Sequence, residues 1–146
     1  MSGKVFVDTN VFVYSRDSVE AGKQRRAQQW LHELWRSRRG ALSYQILHEY
    51  YVTVTRKLSP GMTKGEAQHD IKALLAWSPV VADQTVLETA WRIEERFQLS
   101  WWDSLVVGTA HKAAARYLLS EDLQAGMDLD GIQVVNPFET EFSDIN

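Results

Sequence analysis

Four acidic residues stand where acids are out of place. Asp8 interrupts the apolar stretch VFVDTNVFVY. Glu49 lies in SYQILHEYYVTV, flanked by Leu47 and the Tyr50–Tyr51 pair. Asp103 opens the most apolar helical stretch, SWWDSLVVGTAH, and Asp122 follows Leu118 and Leu119 in LLSEDLQAG. Asp and Glu are rarely buried unless paired or bound to metal. Each also has a plainer explanation. Asp8 suits a helix N-cap or a strand-to-turn boundary. Glu49 could pair with Arg56 or Lys57, although neither is four residues away. Asp103, three residues after Ser100, suits a capping box, and Asp122 suits a turn. Glu121 adjoins Asp122 and competes for its place.

Taken together, the four suggest chemistry. Two like charges ~4 Å apart repel by roughly 4 kcal/mol at an effective dielectric of ~20. A fold that gathers four such groups needs a compensating cation, and carboxylate oxygens suit the hard ions Mg²⁺ or Mn²⁺. An ion held this way polarises a phosphodiester and activates a water. Zinc chemistry is poorly supported: there is no Cys, and the four His form no H-E-x-x-H arrangement.

The acids need elements to hold them. Residues Val5 to Val7 read as a short buried strand ending at Asp8. Ala27, Trp30, Leu31, Leu34 and Trp35 predict an amphipathic helix over 23–39, stopped at Gly40. A short strand is expected at Ala41 and Leu42. Ser43 then caps a helix through Leu47, Tyr50, Tyr51 and Val54, ended by Ser59, Pro60 and Gly61. Thr63 with Glu66 reads as a capping box opening a helix that closes near Trp77. A strand from Val80 to Ala82 is expected after Pro79. The next helix carries Leu87, Ala90, Trp91, Glu94 and Phe97 on one face. Ser100 opens the last, through Leu105 to Ala114, and strands follow at Tyr117 to Leu119 and Ile132 to Val135. Short apolar strands alternating with helices predict an α/β domain on a parallel sheet, with its site at the carboxyl ends of the strands. Asp8 and Asp122 fall at such ends.

At 146 residues the chain suits one domain, 1–146, and 45% hydrophobic residues supply a core. No apolar run is long enough to span a membrane, and Asp8 and Asn10 break up any signal peptide; a cytoplasmic location is expected. Net charge is −3, but nine of the 16 Lys and Arg fall between Arg16 and Lys57. Arg16, Lys23, Arg25, Arg26, Arg38 and Arg39 are candidates for a nucleic-acid backbone surface. Trp30, Trp35 and the Tyr50–Tyr51 pair are candidates for an apolar groove that takes a partner segment or a second copy.

In their order and spacing, VFVDTNVFVY, SYQILHEYYVTV, SWWDSLVV and LLSEDLQAG resemble the acidic motifs of the PIN domain family. They are most like its single-domain ribonuclease toxins of VapBC-type toxin–antitoxin pairs. The resemblance implies a three-layer, Rossmann-like fold with four to five short strands. It implies that Asp8, Glu49, Asp103 and Asp122 are the catalytic, metal-binding acids. Thr9 or Asn10, together with Ser120, would position metal water or phosphate. It further implies endonucleolytic cleavage of RNA with Mg²⁺ or Mn²⁺, a homodimer, and a small cognate antitoxin. The bulky pair Trp101–Trp102 departs from the pattern and serves either packing or base stacking.

Two other readings compete. A haloacid-dehalogenase-like phosphatase also begins with a strand and an Asp, but needs D-x-D where this chain has Asn10. A catalytically silent PIN-like protein-binding module would not need all four acids.

Overall fold

The computed structural model describes residues 3–145. Strand β1 (Lys4–Val7) is fully buried after its first residue. Asp8 then takes an extended conformation and caps a short helix, α1 (Thr9–Tyr14), its carboxylate accepting from the Thr9 N–H. Helix α2 (Ala21–Ser37) buries Ala27, Trp30 and Leu34. It ends at Arg38, which adopts φ 59°, rather than at Gly40. Gly40 instead belongs to β2 (Gly40–Ala41), where the Trp77 ring leaves no room for a Cβ.

Ser43 caps α3 (Tyr44–Val52), accepting from the Ile46 N–H at 3.2 Å. The helix does not run on in α form: it widens into a π turn over Thr53–Lys57. The expected Thr63–Glu66 capping box forms and opens α4 (Lys64–Leu74), which tightens into a 3₁₀ turn at Leu75–Trp77. The expected strand at Val80 to Ala82 reduces to one bridge between Ser43 and Val80. Helix α5 (Gln84–Phe97) packs along α6 (Trp101–Lys112). The chain then passes through β3 (Ala115–Leu119), β4 (Asp128–Leu129) and β5 (Ile132–Val135) to a 3₁₀ turn at Phe142–Ile145.

The α5 face differs from expectation for a packing reason. Val86, Ala90 and Ile93 are buried, while Leu87 is 39% and Trp91 56% exposed. A Cβ at Gly108 of α6 would lie 3.0 Å from the Val86 oxygen and 3.2 Å from the Ala90 nitrogen. The helices close at that glycine, and this contact selects the face that turns inward.

The sheet order is β2-β1-β3-β5-β4. All pairings are parallel except the β4–β5 hairpin. That hairpin turns on Asp130 and Gly131, both at positive φ (56° and 98°), the two-residue turn that Asp-Gly favours. The β1–β3 junction is where connections leave in opposite directions, the place where open α/β sheets form their crevice. One main core, including Phe6, Trp30, Leu34, Leu118, Leu119 and Ile132, fixes that edge; each large side chain there contributes roughly 1.5–3 kcal/mol by burial.

Candidate active site at the carboxyl edge of the sheet

Asp8 and Ser120 leave neighbouring strands, β1 and β3. The Asp8 N–H continues the ladder to the Leu119 oxygen at 3.0 Å, and the Ser120 N–H reaches the Val135 oxygen at 3.0 Å. Both side chains therefore stand on rigid backbone. The Ser120 hydroxyl donates to Asp8 Oδ2 at 2.8 Å and accepts from the Asp122 N–H at 3.1 Å. The Asn10 amide donates to Asp122 Oδ2 at 3.1 Å and lies 3.4 Å from Asp8 Oδ2, while its oxygen accepts from the Glu121 N–H. Asn10 and Ser120 thus lace Asp8 to Asp122. On the other side, the Thr9 hydroxyl donates to Glu49 Oε1 at 2.8 Å. All three residues expected to position groups at the site lie between its acids.

Asp8, Glu49, Asp103 and Asp122 line one open cleft of about 720 Å³. Asp103 is delivered by the first turn of α6, where the helix dipole favours a negative charge. Its N–H bonds to Ser100 Oγ at 3.1 Å, so Ser100 caps the helix. The reciprocal bond of a capping box is absent among the described residues, and Asp103 lines the cleft. Glu121 turns elsewhere, into an ion pair with Lys23, whose ammonium lies over the Tyr14 and Phe138 rings. Of the two adjacent acids, Asp122 is the one in the cleft.

Asp8 is only 8% exposed. Burial pushes its carboxyl up to about 6, opposed by the hydrogen bonds from Ser120 and Thr9 and assisted by the charges of Asp122 and Glu49. A carboxyl desolvated among other carboxylates is the arrangement a cation relieves. Among the described residues no three acids or imidazoles converge tightly enough to enclose an ion. The donor set, hard oxygens around an open cleft, fits an ion that takes one or two carboxylates and keeps its waters, the habit of Mg²⁺.

The cleft also holds Asp17, His48 and Lys57, which sequence reasoning did not assign to it, and Trp102, for which it left packing and base stacking open. Lys57 gets there through the π turn. Eight residues of α-helix would carry it roughly 80° round from Glu49. Instead the Leu58 N–H bonds back five residues to the Thr53 oxygen, and Gln45, Glu49, Thr53 and Lys57 share the cleft wall. Nothing in residue pattern announces a π turn, although such turns recur at functional sites.

None of the six basic residues expected to form a nucleic-acid surface lines the cleft. Arg16 holds Asp70 through two bonds, 2.9 and 2.6 Å. Lys23 holds Glu121, and Arg26 is 3.5 Å from Glu141. Arg39 is buried, donates to the Gly3 oxygen and lies over the Phe142 ring. Arg25 and Arg38 are exposed. The aromatic groove is also rearranged. Trp30 is buried, its indole N–H reaching the Pro137 and Thr140 oxygens. Two of the expected residues, Trp35 and Tyr50, line a second cleft of about 320 Å³ with Phe12, Leu31, Leu74 and Trp77. No described helix is long and apolar enough to cross a membrane.

Comparison with known proteins agrees with this fold. Among solved structures the chain is similar to a toxin–antitoxin complex from Klebsiella pneumoniae, with a TM-score of 0.60 and 18% identity, over 92% of this chain and 98% of that one. Comparison with curated proteins finds no match. The PIN domain model matches residues 5–126, a span that begins in β1 and takes in all four cleft acids. The chain belongs to the PIN domain family.

Proposed function

We propose that this protein is a divalent-metal-dependent endoribonuclease and the toxin of a toxin–antitoxin pair. The observation that carries the reading is the convergence of Asp8, Glu49, Asp103 and Asp122 on one cleft with few countercharges. Asp8 and Asp122 would hold Mg²⁺ or Mn²⁺, with Asp103 and Glu49 completing the negative wall through retained waters. The ion would supply a polarised phosphate and an activated water. The chain's own residues do the positioning. Asn10 and Ser120 fix the Asp8 and Asp122 oxygens, Thr9 fixes Glu49, and burial of Asp8 raises its affinity for positive charge. Hydrolysis adds water across one phosphodiester: the attacking oxygen bonds to phosphorus as the bond to the leaving ribose oxygen breaks.

The phosphatase reading loses ground at Asn10. Its amide is a donor to carboxylates, so it serves as a brace and has no proton to exchange as an acid. An antitoxin partner is supported by the fold shared with the Klebsiella complex, and the Trp35–Trp77 cleft offers an apolar seat for its segment. A homodimer and a cytoplasmic location complete the proposal.

The test is cleavage of a panel of RNAs with and without Mn²⁺, with the cut ends mapped. Metal-dependent internal cuts that vanish in Asp8→Asn support the reading. A folded protein that cuts nothing in the panel would leave the silent binding module as the better description.

A further inference from the structure

We infer that Trp102 and Lys57 are substrate-positioning residues of the cleft, Trp102 as a stacking platform for an unpaired base and Lys57 as the holder of a backbone phosphate. The inference rests on the nuclease reading above and adds the requirement that the nucleotide beside the scissile phosphate be unpaired.

The adjacent indoles have divided their duties. Trp101 packs against Val86, Ala90 and Leu105 between α5 and α6. Trp102, one residue on, is 64% exposed and lines the cleft beside Asp103. It takes part in no ring contact or hydrogen bond among the described residues, unlike Trp30, Trp35 and Trp77. An indole left in water at the mouth of an acidic cleft is not there for the core. Base stacking on an aromatic face tolerates any base and needs that base free of a duplex.

Lys57 supplies the complementary charge. It is exposed and makes no ion pair among the described residues. Asp8, Glu49, Asp103 and Asp122, which line the same cleft, would repel a phosphate diester, so a lysine carried into the wall by a π turn is placed to receive one. A stacked base on Trp102 and a phosphate at Lys57 hold a strand by two points of different chemistry in one cleft.

The experiment measures binding of a short single-stranded oligoribonucleotide, cut by the wild type, to proteins kept in EDTA. It is repeated with oligonucleotides carrying an abasic site at successive positions around the cut. Trp102→Ala is expected to weaken binding about tenfold, within the range for one stacked base. Trp102→Phe should recover most of it, and melting temperatures should not move. One abasic position should weaken wild type as much as Trp102→Ala does and add nothing in that variant. Lys57→Gln should flatten the salt dependence by about 0.7 of a log unit per log unit of salt, one phosphate on a single strand. Equal binding by Trp102→Ala, or additive losses at every abasic position, would overturn the stacking role. An unchanged salt slope in Lys57→Gln would overturn the phosphate role. If Trp102→Ala instead cuts and binds normally but no longer binds a co-encoded protein, the indole serves that partner. A wild type that neither binds nor cuts any strand would defeat the nuclease reading itself, a different result from all of these.

Discussion

Asp70, on α4, and Asp8, at the N-cap of α1, are both largely buried acids, and the fold treats them in opposite ways. Asp70 receives two bonds from Arg16 and a third from the Tyr50 hydroxyl at 2.5 Å, so its charge is fully met by the chain. Asp8 is more deeply buried and receives only uncharged donors, the Ser120 hydroxyl, the Asn10 amide and the Thr9 N–H. Its nearest charged neighbours are two more carboxylates. A structural acid is given a counterion. Asp8 is given none by the chain, and under the proposed function a metal ion would supply that charge.

The largest expected effect follows directly. Asn in place of Asp8 or Asp103 keeps the shape and removes the charge. Nuclease activity on a mapped RNA should fall by two orders of magnitude or more, about 3 kcal/mol of transition-state stabilisation. Melting temperatures of the metal-free proteins should hold or rise. A fully active Asp103→Asn protein with a lowered melting temperature would make Asp103 a helix-terminal charge and nothing more.

The second effect is on stability against pH. The folded-state value of Asp8, about 6, lies above its ordinary 3.8. The folded protein therefore binds more protons than the unfolded chain between those values, and stability is lost as pH rises through the window. The full difference is about 3 kcal/mol at most. In EDTA, the gap in unfolding free energy between Asp8→Asn and wild type should widen in favour of the variant from pH 4 to pH 7, then level off. Saturating Mn²⁺ should restore the wild type by mass action, by about 2.7 kcal/mol at a hundred times its dissociation constant, and should leave Asp8→Ala unmoved. A gap that does not change with pH would remove the unpaired-acid argument.

Asp70 is the control for that logic. Its side chain is 15% exposed, and Asp70→Asn leaves the Arg16 guanidinium without its partner. Chemical denaturation should show a loss of about 1–3 kcal/mol, with RNA cleavage unchanged. A variant that keeps its stability would show that the ion pair contributes as little as an exposed one.

Residue pattern made one of these two regions legible and hid the other. Asp8 was visible because β1 is a run of apolar residues and the carboxylate breaks it. The neighbouring positions of Asp8 and Asp122 followed from the alternation of short strands and helices. The ion pairs were invisible because their partners are far apart in sequence: Arg16 reaches Asp70, Lys23 reaches Glu121 and Arg26 reaches Glu141. Three members of the basic stretch in the sequence thus meet acids far along the chain. The buried face of α5 differs from the one its periodicity predicts because a glycine on the neighbouring helix decides which side goes in. The β4–β5 hairpin has a turn signal, Asp130–Gly131, but β4 is only two residues long and shows no strand periodicity.

The finest division between the two regions runs between adjacent residues of α3. Glu49 points to the cleft, while Tyr50 turns its hydroxyl to Asp70 and its ring edge-on to Phe12 at 6.3 Å. Burial, and then the hydrogen bond to the Asp70 carboxylate, push the Tyr50 phenol well above its ordinary value. It therefore stays protonated as the donor throughout the range in which the protein would be assayed. Tyr50→Phe removes one donor and keeps the ring, and Asp70 retains both bonds from Arg16. The cost should be about 1 kcal/mol, the worth of one ordinary hydrogen bond, and it should be constant from pH 6 to pH 9. Activity should match the wild type, whereas Glu49→Gln, one residue away, should lower it severely without a comparable loss of stability. Measuring both variants for cleavage rate and unfolding free energy separates the two faces of the helix. If Tyr50→Phe lost cleavage at unchanged stability, the Asp70 network would belong to the site, and the contrast between paired and unpaired acids would no longer mark the boundary between scaffold and chemistry.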